Sequence, residues 1–460
     1  MLRVLGVLTT AALLSTSRTE SRAARPALGA PEVGSAASTI DVTALLAAAR
    51  GAPPMICALA ARSVRNGNWG GRADAPATPL GSAMQIDDDR GRSELSSADV
   101  DRLLDALGSD DACVRELSVR LVGHEDDARV AAPLIAKLGS SDASLRSVAA
   151  FGLGLAEPQS AVDPLIRALR DATPPVRANA AWALGRIEHG KALAPLVGLF
   201  RDDAPMVREA AVAAVGRLES TSAVAALTRV LQQDDAASVR RVAAWALGHL
   251  ESREAADALV SVLARERDAR VREMTAWALG SIEAKSGSAA LQAALRSDAD
   301  DGVRETAAWA LAQIEDGGAT AALGAATAND KSSRVRGTSA WALGQLHDEE
   351  GSGRAPAGLV RLLKDESEDV RRKAAWALGQ IGDASALPAI QEALKVEQSS
   401  QVRRALVRAL TRSGGRSEAV FTELLASKDP QVREAAVRGL AGAQRIDPWP
   451  WPWPRPRPFP

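Results

Sequence analysis

The sequence predicts an all-α protein, a right-handed α-solenoid (an α-α superhelix) of about eleven helix pairs, and three observations predict it. The segment VREMTAWALGSI at residues 271–282 recurs in near-copy, for example as VRANAAWALGRI at 176–187, VRRVAAWALGHL at 239–250 and VRRKAAWALGQI at 370–381. Its Arg returns as Arg115, Arg146, Arg177, Arg208, Arg240, Arg272, Arg304, Arg336, Arg371, Arg403 and Arg433, in steps of 30–32 residues with one step of 35. Between copies lies a second amphipathic segment, such as Lys191 to Phe200 with Leu193, Leu196, Val197 and Phe200 on one helical face. Two-helix units repeated at a fixed period form a quasi-one-dimensional stack, in which chain length sets repeat number instead of domain number.

Composition bounds the function. A formal net charge of -1 with 25% charged residues gives no overall attraction to nucleic acid or to a membrane, so any binding must be local. The chain has no Tyr and four Phe but ten Trp, and six of those Trp occupy one repeat position. The two cysteines, Cys57 and Cys113, fit no zinc spacing and are too few for a disulfide framework, leaving either one bridge or two buried thiols.

Taken in order, residues 1–24 have the layout of a secretory signal peptide: Arg3, an apolar run from Val4 to Leu14, then small polar residues. The expectation is export, to the periplasm or the exterior, with cleavage after Ser17 or Ala23; an uncleaved Ala-rich N-terminus is the alternative. The run is too short to span a bilayer. Residues 25–40 are a linker by composition. Residues 41–65 read as an N-terminal helical cap, Asp41 to Arg50 and Pro54 to Val64, which would let Cys57 reach Cys113. Residues 66–97 read as a flexible loop in which Trp69 has no assigned role.

Residues 98–443 carry the repeats. Pro133, Pro164, Pro195, Pro356 and Pro388 are expected in the first turn of the first helices, where a missing N–H costs little. An acid precedes the repeat Arg by six residues in eight copies: Asp171, Asp202, Asp234, Glu266, Asp298, Asp330, Asp365 and Glu397. That regularity predicts a side-chain ladder fixing register between repeats. The second helix is expected to close on the Gly or small residue eight places after the Arg.

The pattern VRxxAAxALGxI, a loop, a short helix such as SALPAIQEAL at 385–394, and an acid before the next VR resembles the HEAT-like repeats first named for phycobilin lyases, over about three quarters of the chain. The resemblance implies the fold and, since such repeats serve lyases, metal-dependent hydroxylases, nucleic-acid binders and adaptors, no single function. It also implies that the second helices line the concave surface.

A helical wheel places Val271, Thr275, Ala278, Leu279 and Ile282 on the core face, with Trp277 nearly opposite. The fifth place after the Arg reads Phe151, Trp182, Ala213, Trp245, Trp277, Trp309, Trp341 and Trp376 through the middle repeats. These aromatics are candidate partner-binding residues, a platform for an extended peptide, with packing between repeats as the competing use. Arg372, Arg404, Arg408 and Arg412 make the C-terminal end of that face basic, suited to an acidic peptide or a phosphate unless they are only solvated charges. The tail, 444–460, alternates Pro with Trp449, Trp451, Trp453, Arg455, Arg457 and Phe459, which leaves polyproline II as its conformation, and an inert tail, a groove ligand or peripheral membrane contact as its role.

HEAT-like hydroxylases place His-Glu pairs on several second helices; here His124, His189, His249 and His347 are the four His and only His124 precedes Glu, so no metal or cofactor is expected. The expected function is an exported scaffold binding a protein or extended peptide on the Trp-lined face, with an enzyme of the HEAT-like lyase or oxidoreductase kind as the alternative. Export and the charge balance count against nucleic acid.

Overall fold

A computed structural model of the chain describes residues 41–53, 57, 95–123, 128–350, 354–414, 422, 424–428 and 430–440. The expected signal, the linker, the second cap helix apart from Cys57, Trp69 and the Pro-rich tail lie outside the described residues.

The described chain is helical, and strands are absent from it. Eleven second helices recur at the predicted register, from Ala112–Gly123 through Ala143–Ala156, Pro174–Ile187 and Ala269–Ser281 to Ser400–Arg412 and Pro430–Leu440. Consecutive second helices pack on one another, and those from Ala112–Gly123 to Ser400–Arg412 also pack on their own shorter first helices, such as Leu193–Gly198 or Val224–Gln233, so the architecture is an all-α solenoid. The step of 35 residues is taken up by one long second helix, Ser333–Glu350.

The core follows the wheel. Val271, Thr275, Ala278 and Leu279 are fully enclosed and Ile282 nearly so. The Thr275 hydroxyl donates to the Val271 carbonyl at 2.7 Å, which satisfies the one polar group on that face. Asp41 caps the helix Val42–Ala49 by accepting from the Ala44 N–H at 3.0 Å. That helix lays Ala49, Leu45 and Leu46 on Val114 and Leu117 of the first second-helix, and a disulfide joins Cys57 to Cys113 with a Cα–Cα distance of 5.6 Å.

Two details depart from expectation. The Gly eight places after the Arg does not end the second helix: Gly185 and Gly280 lie inside Pro174–Ile187 and Ala269–Ser281. Closure comes three places later in the left-handed region, at Glu157, Glu188, Glu219, Glu251, Glu283 and Glu315 with φ of 49–54°, and at Gly382 and Gly414. Pro133 is also not in a first turn, because its helix starts at Ala128 and runs on to Lys137, forgoing one backbone hydrogen bond. Pro164, Pro195 and Pro388 do sit near their helix starts, and Pro356 caps Ala357–Arg361.

Candidate interaction face

The repeat Arg and the acid build a continuous ladder along the stack. In eight pairs, from Arg146–Asp171 to Arg371–Glu397, Nε and Nη2 of one repeat's Arg donate to both carboxylate oxygens of the next repeat's acid at 2.7–3.1 Å. Nη1 of the same Arg donates back to the carbonyl of the residue six places before it, at 2.8–3.2 Å; that residue is the repeat's own acid in seven of the eight and Ser140 for Arg146. Each acid also accepts from the N–H two residues on, at 2.8–3.0 Å. Bidentate geometry and low exposure make these charge-assisted bonds, and the Arg146 hydrogen bonds hold the Asp171 carboxyl below the usual Asp range. At the ends the carbonyl half is kept: Arg115 reaches the Ser109 carbonyl, with Ser140 standing where the next repeat's acid would be, and Arg433 reaches that of Ser427. All this chemistry is spent on the stack itself.

The aromatic column is mostly enclosed, which matches the packing use of these rings more than the exposed platform. Phe151, Trp182, Trp245, Trp309 and Trp341 are buried; Trp277 and Trp376 are half-buried. For Trp182, Trp245 and Trp309 the internal Gly of the preceding repeat makes room, whereas Ala312 stands in that register before Trp341. A Cβ added at Gly216, Gly248, Gly280 or Gly344 would stand 2.5–2.8 Å from Cζ3 of the next repeat's Trp, so each missing side chain is the socket for one ring edge. The ring leans across the inter-repeat seam rather than out from its helix. At the N-terminal end the column is a true stack: Arg120 lies 5.5 Å over Phe151, whose ring is 5.0 Å from that of Trp182, which Arg186 covers at 5.8 Å.

What remains open on this layer is its charged and polar rim. In the middle, Glu273 lies near Asp300 and Glu305, and burial, Asp300 and Glu305 push its carboxyl up to about 7 against the pull of Arg334 and Arg241. Arg334 binds Asp301 at 2.8 Å and Glu305 at 3.5 Å. Asp300 is the N-cap of Asp301–Ile314, the place that Asp142 and Asp268 hold in their own repeats. Toward the C-terminal end, Arg372 and Lys373 are held by Asp369 at 2.5 and 2.7 Å. Arg404 is half-buried, and Arg408 and Arg412 are exposed one turn apart on Ser400–Arg412. Among the described residues no group of three His, Cys, Asp or Glu is placed to hold a metal ion, and no helix is long and apolar enough to cross a membrane. His124 lies outside the described residues; His189 caps a turn, and His249 stacks on Trp245 at 5.1 Å.

Helix pairs in fixed register, bonded by one Arg–acid ladder and one ring-in-Gly seam, define a repeat α-solenoid. A family model for HEAT repeats matches residues 131–215, 198–280, 224–312, 288–355 and 323–411, more than half of the sequence, and the chain belongs to the HEAT-repeat family. Among solved structures it is similar to importin β (TM-score 0.60, 13% identity, 87% of this chain and 64% of that one). It is also similar to yeast importin β, Kap95p (0.53, 14%, 87% and 62%), and to Kap95p studied with RanGDP (0.55, 15%, 87% and 61%). The chain thus spans under two thirds of the length of these importins, and identities this low speak for the fold alone. No curated protein matches the sequence.

Proposed function

We propose that this chain is an exported scaffold that holds an extended, acidic stretch of a protein partner along the layer of second helices. The observation that carries this reading is the contrast between two sets of arginines. The ladder arginines are largely enclosed in the stack, whereas Arg408 and Arg412 are exposed one turn apart, on the second helix of the repeat after that of the half-buried Trp376. Planar guanidinium groups in solvent reach suit carboxylates, and a half-buried ring beside them adds apolar contact without a mobile side chain. The structurally similar Kap95p, which binds RanGDP, lends general support for a protein partner. The buried rings serve as the floor of this surface, with Trp277 and Trp376 contributing contact area.

The test uses fluorescent 12-residue peptides, oligo-Glu and oligo-Lys, titrated into the full chain. Salt-sensitive binding of the acidic peptide, weakened at least tenfold by Arg408→Glu with Arg412→Glu, is expected; Arg265→Glu, on the first-helix layer, is the control. Equal binding of both peptides, or equal loss in the control, overturns it.

The export half rests on the Arg3 to Leu14 pattern and on the Cys57–Cys113 disulfide, a bond at home in oxidising compartments. Cell fractionation of the tagged chain, with and without residues 1–24, checks it. Retention of both forms in the cytoplasm removes export from the proposal and leaves the scaffold.

A further inference from the structure

The fourth place after the repeat Arg is the column through which each repeat meets the next. At the first interface, a Cβ at Gly152 would stand 2.8 Å from Cγ2 of Val119, so this side chain points at the following second helix. From Val119, Ala150 and Ala181 to Ala375 and Val407, ten copies of the position are 0% exposed. The eleventh, Val437, is 54% exposed. Its own helix is otherwise seated, with Val432 and Ala436 fully buried against the preceding repeat. The stack therefore ends on an apolar interface residue. The opposite end is covered by Val42–Ala49 and tied by Cys57–Cys113. A solenoid needs both ends covered.

We infer that the Trp- and Pro-rich segment 447–460 of this same chain covers the open end. It follows the last helix, Pro430–Leu440, after six residues, so it starts within reach of Val437. Alternating Pro removes every second N–H, which bars it from extending the stack as another helix pair and leaves a rod of about 3.1 Å per residue. Fourteen residues of it reach about 43 Å, against about 20 Å for the end of a helix pair. Trp449, Trp451, Trp453 and Phe459 supply apolar area that the missing next repeat would otherwise give. The segment is already stiff, so docking it orders little new chain. A terminal cap without N–H donors in register also discourages a further copy from stacking on the same end.

The experiment is hydrogen exchange of the full chain against a chain ending at Ile446. Amides of 430–440 should exchange at least tenfold faster without the tail, while those of 269–281 stay unchanged. Trp449→Ala, Trp451→Ala and Trp453→Ala together, which keep every Pro, should reproduce the deletion. Val437→Asp should accelerate exchange in the full chain and add little in the shortened one. Unchanged exchange on deletion overturns the inference. So does protection that rises with protein concentration, because a second copy would then be the cover.

Discussion

Arg177 donates from Nε and Nη2 to both carboxylate oxygens of Asp202, while its Nη1 reaches back to the carbonyl of Asp171, the acid that pairs with Arg146. One side chain thus fixes the turn of its own repeat and the position of the next. Breaking it should be felt across two interfaces at once.

Asp202→Asn is expected to cost about 2 kcal/mol at pH 7, the scale of a hydrogen bond to a charged group. Burial works to raise the Asp202 carboxyl, but the Arg177 bonds and the Ala204 N–H outweigh it and leave it below the ordinary Asp value. A depressed folded pKa means stability that is complete above about pH 4 and is lost as pH falls through the folded value. Urea midpoints of wild type and variant should therefore differ at pH 7 and converge as pH falls below the folded value.

Glu273 has the opposite sign. Burial, Asp300 and Glu305 raise it to about 7, so the folded chain holds a proton that the unfolded chain has released above about pH 4.3. Folding is penalised progressively between those values and fully above the upper one. Glu273→Gln should stabilise the protein by about 1–2 kcal/mol at pH 8, allowing for solvent screening, and by nothing at pH 4. Thermal melts at the two pH values decide it.

Gly248→Ala places a methyl 2.7 Å from Trp277 Cζ3 and 2.9 Å from the Ala278 Cα. A backbone atom cannot yield as a side-chain tip does, so a loss of about 1–3 kcal/mol is expected despite the better helix propensity of Ala. Ala312 fills this register before Trp341, so one seam is built with the methyl already in place. Gly198→Ala, with nothing within 4 Å of the added carbon, is the control and should be neutral or stabilising in the same urea titration.

Glu251 closes its helix at φ 49°, a region that costs an L-residue about 1–2 kcal/mol. Glu251→Gly should raise stability by about 1 kcal/mol. Glu157, at φ 52°, is bonded to Arg186 of the next repeat, so Glu157→Gly should gain less. Equal gains in the two urea midpoints would mean that the Glu157–Arg186 pair contributes nothing.

The sequence alone determined the repeat number, the two-helix unit, the core face and the acids of the ladder, because each is a local periodicity: 3.6 residues for a helix face, about 31 for a repeat. It did not determine which repeat each acid serves. Arg177 and Asp202 are 25 residues apart, and only stacking brings the later acid, rather than Asp171, to the end of the guanidinium. Nor could a wheel drawn on one helix decide the exposure of Trp182, Trp245 or Trp309. A wheel sees the helix a residue stands on, whereas the Gly of the preceding repeat, stripped of its Cβ, opens the seam into which the ring turns. The same logic separates Val407 from Val437: identical residues at one register, one sealed by a neighbour that follows and one left open where the helix pairs stop.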